Sequence, residues 1–156
     1  MLSRLGVRTS SSATGAACFE LRVASTILGA WLKEIEVISA AATAQTFGLG
    51  EPAAIGVSPT TPVPLIPLDL QLPAPTTEGT SQSGSHVTTA LAWGTPPTVP
   101  ASFIARANLP ATLGATIKWK FDGNGIWIPA GASIVLWGVS ANIATDVNVL
   151  VDEVPA

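Results

Sequence analysis

Apolar and polar residues alternate along most of the chain from residue 18 onward, a pattern typical of strands that bury one face. The clearest example is a stripe of Ile117, Trp119 and Phe121 that alternates with Lys118 and Lys120. Comparable stripes predict further strands near residues 18–23, 31–37, 87–93, 103–108 and 147–152. In the second of these, we expect Trp31, Ile35 and Val37 to share the buried face, although Lys33 interrupts the pattern.

Turn signals separate the predicted strands, including Asp122-Gly123-Asn124-Gly125 and Pro129-Ala130-Gly131. Residues 133–139 are apolar at almost every position, which predicts a central strand buried on both faces. Only residues 24–33 suggest a helix, and Gly29 weakens that alternative. Seven or eight short strands with turns between them predict an all-β fold, an antiparallel two-sheet sandwich.

The chain length of 156 residues suits one domain with a sizeable core, which we place at residues 16–156. Residues 1–15 are rich in Ser and Thr and predict a flexible N-terminal tail. The alternative is a segment that packs loosely on the domain. Residues 76–85 (TTEGTSQSGS) predict a flexible polar loop.

Residues 52–75 hold seven of the thirteen prolines, so they are excluded from central strands because proline cannot donate to a sheet ladder. The same Pro-rich segment carries apolar side chains that a polar linker would not need. We take three of them as candidate interaction residues: Leu65, Ile66 and Leu68. Two alternatives stay open. The segment is either an extended arm that docks on a neighbouring subunit or a loop that covers its own sheet.

Composition excludes several classes of protein. A hydrophobic fraction of 47% with only 11% charged residues argues against disorder. The mean hydropathy of +0.48 raises the question of a membrane span, and residues 126–145 carry no charge over twenty residues. Pro129, Gly131 and Gly138 interrupt that stretch and its apolar residues alternate, so it predicts buried strands and no membrane partner.

Net charge and cysteine content restrict the partners and the compartment. A formal net charge of −3, with seven basic residues scattered along the chain, argues against nucleic acid as a partner. The single cysteine, Cys18, excludes an internal disulfide. The N-terminal residues lack the apolar run of a secretory signal, so we expect synthesis in a cytoplasm.

The side chains that usually carry catalysis are scarce. His86 is the only imidazole, whereas a nucleophilic triad needs a base oriented by a third group, and zinc needs three or four ligands. Glu34 and Glu36 share one strand face about 7 Å apart, but a solvent-facing pair explains them without chemistry. We therefore expect no catalytic residues, no cofactor, no metal and no enzymatic activity.

Five tryptophans in a chain without tyrosine are the unusual aromatic feature. Four lie within the alternating stripes, which predicts core packing. Trp127 lies beside a turn, and an exposed tryptophan often anchors a protein or carbohydrate ligand. Trp127 is therefore the fourth candidate interaction residue.

Residues 117–153 carry a family resemblance. They contain the turn pattern Ile128-Pro129-x-Gly131-x-Ser133 between two apolar strands, followed by a final strand that ends at Glu153. This run, about a quarter of the chain, resembles the end of small jelly-roll proteins in the virions of tailed bacteriophages, namely capsid cement or decoration proteins and related head accessory proteins. It is also similar to trimeric tumour-necrosis-factor-like jelly rolls.

The resemblance implies a jelly-roll virion protein that binds the outside of a phage capsid and stabilises it as a homotrimer. Its partner would be the major capsid protein. It would be made in the host cytoplasm and located at the capsid surface. The alternative is a receptor- or carbohydrate-binding β-sandwich module of a phage tail or a bacterial surface protein, with a glycan as its receptor.

Overall fold

The computed structural model describes residues 1–9, 16–60, 62–63, 65–68, 87–140 and 144–155. Within these residues the chain forms strands and no helix, which confirms the all-β prediction. Residues 25–28 form turns and bends and lead directly into a strand, so the helical alternative for residues 24–33 is wrong. The strands are β1 (Leu2–Thr9), β2 (Ala16–Val23), β3 (Gly29–Ser39), β4 (Gln45–Gly50), β5 (Val57–Pro59), β6 (Pro62–Val63), β7 (Ile66–Pro67), β8 (Val87–Ala90), β9 (Trp93–Thr95), β10 (Ala105–Leu109), β11 (Thr116–Lys120), β12 (Ile126–Pro129), β13 (Ser133–Gly138) and β14 (Thr145–Val154).

Two antiparallel six-stranded sheets pack face to face as a sandwich. Sheet 1 has the order β11-β3-β14-β1-β7, and β12 also pairs with β3. Sheet 2 has the order β10-β4-β13-β2-β8-β6. Strands β5 and β9 form a separate two-stranded ladder.

Four pairs of strands are nested in the order of the chain. β1 pairs with β14, β2 with β13, β3 with β11, and β4 with β10. Each of these pairs lies inside the previous one along the chain, and β1 to β4 alternate between the two sheets.

The main core lies between the sheets and is built from the inward-facing alternate positions of the strands. Along β14, Val147, Val149 and Val151 are buried while the intervening residues are partly exposed, as the alternating stripe predicted. Burial of a large aliphatic or aromatic side chain contributes about 1.5–3 kcal/mol. The largest contributors to this core are Phe19, Leu21, Leu32, Ile35, Phe47, Leu49, Leu65 and Leu136.

A β-bulge in β3 changes which residues face the core. β14 pairs Leu150 with Glu34 and Val151 with Leu32, so Lys33 has no opposite residue. An extra residue in one strand shifts the alternation of faces by one position. Leu32 is consequently buried, and Trp31 faces outward. The prediction that Trp31 shares the buried face of Ile35 is therefore wrong.

The N-terminal residues form part of sheet 1. β1 lies between β14 and β7, with Ser3, Leu5 and Thr9 buried. The prediction of a flexible tail over residues 1–15 is therefore wrong for Leu2–Thr9, because register pairing with β14 over the whole strand satisfies its backbone. Residues 10–15 lie outside the described residues.

The described part of the Pro-rich segment 52–75 covers its own sandwich. β6 pairs with β8 at the edge of sheet 2, and β7 pairs with β1 at the edge of sheet 1. Between them Leu65 is 1% exposed and packs in the main core. Proline suits these positions because edge strands need fewer ladder donors. The other residues of the segment (61, 64 and 69–75), the polar loop 76–85 and His86 lie outside the described residues.

A second layer, residues 51–60 and 91–104, covers the outward face of sheet 2. Beneath it Val135 and Trp137 are buried, and the ring of Phe103 packs 5.7 Å from that of Trp137, centroid to centroid. This layer explains why all residues of β13 are buried, as the continuous apolar run predicted.

The sequence Asp122-Gly123-Asn124-Gly125 does not reverse the chain between two neighbouring strands. β11 and β12 both pair antiparallel with β3, so they are two parts of one interrupted edge strand. Gly123 and Gly125 have φ of 64° and 97°, where an L-residue would be strained. Residues 126–145 include β12 and β13, and the described residues contain no helix long and apolar enough to cross a membrane.

Candidate functional site

The outward face of sheet 1, here the outer face, is the surface that brings the candidate residues together. Its side chains form rows across the strands, because antiparallel partners point to the same side. The rows are Leu2, Asp152, Trp31 and Trp127; then Ile66, Arg4, Leu150, Glu34 and Lys120; then Gly6, Asn148, Glu36 and Lys118.

Most of the basic residues gather on this face although they are scattered in the sequence. Five of the seven lie on its strands: Arg4, Arg8, Lys33, Lys118 and Lys120. Four acidic residues accompany them: Glu34, Glu36, Asp146 and Asp152. Most of these charges pair with one another across neighbouring strands.

Glu34 and Glu36 form a network with lysines of the edge strand. Lys118 Nζ lies 2.9 Å from Glu34 and 3.7 Å from Glu36, and Lys120 Nζ lies 3.7 Å from Glu34. The hydrogen bond from Lys118 is the main cause that lowers the pKa of Glu34 below its ordinary value. A general acid needs a raised pKa, so the lowered pKa of Glu34 does not suit that residue to act as one.

Arg8 and Asp146 form a second pair at the other end of the face. The guanidinium donates to both carboxylate oxygens across 2.7 and 2.8 Å. This hydrogen bond lowers the pKa of Asp146 and raises that of Arg8.

An exposed apolar patch lies at the β7 edge of the outer face, and we call it the edge patch. It consists of Leu2, Ile66 and Leu68, which are 40%, 57% and 51% exposed. The backbone N–H of Leu68 donates to the carbonyl of Leu2 across 3.1 Å, which fixes the segment against β1. Ile66 and Leu68 are therefore surface residues, whereas Leu65 belongs to the core and is not available to a partner.

Trp127 lies at the opposite edge of the same face, packed against Trp31. The two ring centroids are 4.8 Å apart with an interplanar angle of 52°. Lys33 Nζ lies 5.9 Å from the Trp31 ring, and Asp152 is the cross-strand partner of Trp31. We call Trp31, Trp127, Lys33 and Asp152 the aromatic corner. Sequence reasoning found Trp127 but missed Trp31, although the interruption at Lys33 was the signal of the bulge.

A small cleft adjoins the aromatic corner. Its volume is about 100 Å³, and Trp127 lines it together with residues of β13 and of the segments before β5 and β10. The other lining residues are Glu51, Ile104, Ile126, Ile128, Pro129, Ala132, Ser133 and Ile134. Apart from Glu51 and Ser133, they are apolar.

A buried charge cluster lies on sheet 2, away from the outer face. Glu20 is 1% exposed, accepts hydrogen bonds from Arg22 Nη2 across 3.1 and 3.2 Å, and accepts another from Trp93 Nε1. Arg22 also donates to the carbonyl of Gly56. These contacts fasten the second layer to sheet 2. Sequence reasoning missed Glu20, because its position in an alternating strand predicted an exposed side chain.

The described residues contain no group of three or more His, Cys, Asp and Glu side chains that could hold a metal ion. Comparison of the chain with family models, curated proteins and solved structures found no match.

Proposed function

We propose that the sandwich is a jelly roll, the fold in which a long antiparallel hairpin is wound into two sheets. The nested pairing supports this proposal: the first strand lies beside the last, β2 beside β13, β3 beside β11 and β4 beside β10. β6 and β7 then extend one edge of each sheet.

We further propose that the chain is a virion structural protein, a cement or decoration protein that binds the outside of a phage capsid as a homotrimer. The resemblance of residues 117–153 supports this proposal, with the major capsid protein as partner and the capsid surface as location. Neither nucleic acid nor membrane is part of it.

The edge patch is the observation that carries the proposal. Three neighbouring aliphatic side chains, 40% to 57% exposed, border a face of mixed charge. Contact with a capsid would remove them from water, and burial of apolar surface contributes about 25 cal/mol per Å². Because the protein would bind only the assembled head, it would stabilise that state by mass action.

The test is co-sedimentation with empty expanded heads of the phage that encodes the protein. The variant is Ile66→Ser combined with Leu68→Ser, which removes two exposed side chains without opening the core. We expect weaker attachment and an unchanged unfolding midpoint. The matched control is Leu113→Ser, because Leu113 is 69% exposed and lies outside the strands of sheet 1.

Heads that carry the protein should also survive heating better than bare heads. Light scattering of the isolated protein should give a mass near three times 15.8 kDa.

Failure of the wild-type protein to bind heads would contradict the proposed function. Equal attachment of the double variant and the Leu113→Ser control would show that the edge patch is not the contact. The second candidate function, carbohydrate binding, is favoured by a different observation, the aromatic corner.

A further inference from the structure

We propose that the aromatic corner binds a sugar ring of a neutral glycan. The site would present an indole surface to the C–H groups of the ring and polar groups to its hydroxyls. This inference rests on the second candidate function, carbohydrate binding, and names its ligand and site. It does not depend on attachment to a capsid, because the corner and the edge patch lie at opposite edges of sheet 1. Four strand spacings separate β7 from β12, a distance of about 19 Å.

Trp127 differs from the buried tryptophan of the chain. It is 39% exposed, whereas Trp137 is 1% exposed beneath the second layer. The Trp31 ring stands at 52° to it, so the pair forms an angled aromatic surface. Aromatic surfaces of this kind bind the apolar faces of ligands that also carry polar groups.

Gly29 makes room for the Trp127 side chain. A Cβ at residue 29 would lie 2.4 Å from two atoms of the indole, Cζ2 and Cη2, and 2.6 Å from the carbonyl oxygen of Ile128. Trp127 therefore occupies space that only glycine leaves open. This packing, together with the contact to Trp31, holds the indole in one place before a ligand arrives, which lowers the entropy lost on binding.

The polar groups around the two rings are better suited to hydrogen bonds with the hydroxyls of a neutral ligand than to the binding of a charged ligand. Asp152 is adjacent to Trp31 in the same row, with its side chain 39% exposed, and its Oδ1 accepts a hydrogen bond from the Met1 amino group across 3.3 Å. Oδ2 is then free to accept from a ligand hydroxyl. Lys33, close to the Trp31 ring, can donate to another. The ammonium groups of Met1 and Lys33 are balanced by the carboxylates of Asp152 and, in the adjoining cleft, Glu51. The corner and cleft together therefore carry no excess charge for an anionic or cationic ligand.

The neighbouring cleft sets the size of the ligand. At about 100 Å³ it is smaller than the pockets of about 300 Å³ or more that enclose drug-sized molecules. It has room for a substituent or part of a second ring beside Trp127, with the Glu51 carboxylate as a further acceptor. The corner and cleft together therefore fit one or two sugar units better than a large rigid partner.

The experiment uses the full chain on an array of neutral hexose and N-acetylhexosamine oligosaccharides, with sialylated and sulfated counterparts alongside. We expect binding to neutral members, confirmed by calorimetric titration of the best-bound neutral oligosaccharide. Trp127→Ala should weaken that affinity about tenfold, the size of a lost aromatic contact, while Trp127→Phe retains part of it. Leu113→Ser is the control and should bind as the wild type does.

Several results would overturn the proposal. These are no binding to neutral glycans, binding confined to the charged members, or an affinity unchanged by Trp127→Ala. Suppose that the wild-type protein binds no glycan and that a folded Trp127→Ala variant no longer attaches to phage heads. The aromatic corner would then be a protein contact.

Glycan binding that persists in the Ile66→Ser and Leu68→Ser variant would separate this site from the edge patch. Loss of binding in that variant, with its fold intact, would contradict the placement of the sugar at the corner.

Discussion

Trp93 Nε1 donates a hydrogen bond to Glu20 Oε2 across 2.5 Å, and this contact joins the second layer to sheet 2. Glu20 is almost fully buried and its other partner is Arg22, two residues along the same strand. A buried carboxylate requires such partners, because the loss of hydration is otherwise uncompensated. The layer that covers Trp137 is therefore held by polar as well as apolar contacts.

Replacement Trp93→Phe should lower the free energy of unfolding by about 1–3 kcal/mol, because it removes a donor from a buried charged acceptor. Urea denaturation measures the change. Leu113→Ser serves as the control and should fall within about 0.5 kcal/mol, since that residue is 69% exposed. Equal effects of the two variants would show that the bond to Glu20 contributes nothing.

Leu65 and Ile66, adjacent in the Pro-rich segment, should differ strongly in their contribution to the free energy of unfolding. Leu65→Ala should cost about 2–5 kcal/mol because it leaves a cavity in the main core. Ile66→Ala should stay within about 0.5 kcal/mol, because that side chain is 57% exposed. Thermal or urea unfolding compares the two. A stable Leu65→Ala variant would mean that the segment does not close the sandwich.

Cys18 should resist thiol reagents in the folded protein. Its thiol donates to the carbonyl of Leu136 across 3.2 Å, and burial raises its pKa from 9.0 to about 12. A disulfide reagent at pH 8 should therefore label it only after denaturation, as absorbance of the released thiolate would report. Rapid labelling without unfolding would contradict its burial.

The same shift predicts a dependence of stability on alkaline pH. The unfolded chain releases the thiol proton near pH 9, whereas the folded chain retains it to about pH 12. The contribution to stability is thus complete below about pH 9 and is lost as pH rises toward the folded value. Cys18→Ala should lack this part of the alkaline decline in unfolding midpoint.

Glu34 should titrate at a higher pH when Lys118 is removed. Lys118 is its hydrogen-bond partner at 2.9 Å, and Lys120 lies farther away at 3.7 Å. The pKa of Glu34, measured by NMR titration, should therefore rise more in Lys118→Ala than in Lys120→Ala. Because the folded pKa is lowered, the contribution of this pair is present above the unfolded value and is lost as pH falls through the folded one. A larger rise in the Lys120 variant would contradict the described geometry.

The fold class and the positions of many strands could be predicted from the amino-acid pattern alone. The alternation along β11 and β14 and the continuous apolar run of β13 are local patterns with a period of two, readable without knowledge of any partner. The sequence also indicated that Trp127 lies at the surface and that the Pro-rich segment avoids central strands. All these features depend on residues close together along the chain.

Which strands are neighbours and which faces are covered depends on contacts between segments that are distant in the chain. The pairing of β1 with β14 joins residues at opposite ends of the chain, so the Ser- and Thr-containing start became a strand within sheet 1. Trp31 lies beside Trp127 because of the bulge at Lys33. One unpaired residue changes which side of the sheet the residues beyond the bulge face. Glu20 is buried because the second layer covers its face of sheet 2. Leu65 is buried because the chain passes from sheet 2 to sheet 1 between β6 and β7. Each result depends on the register between distant segments, and among them only the bulge left a local sign, the interruption of the stripe at Lys33.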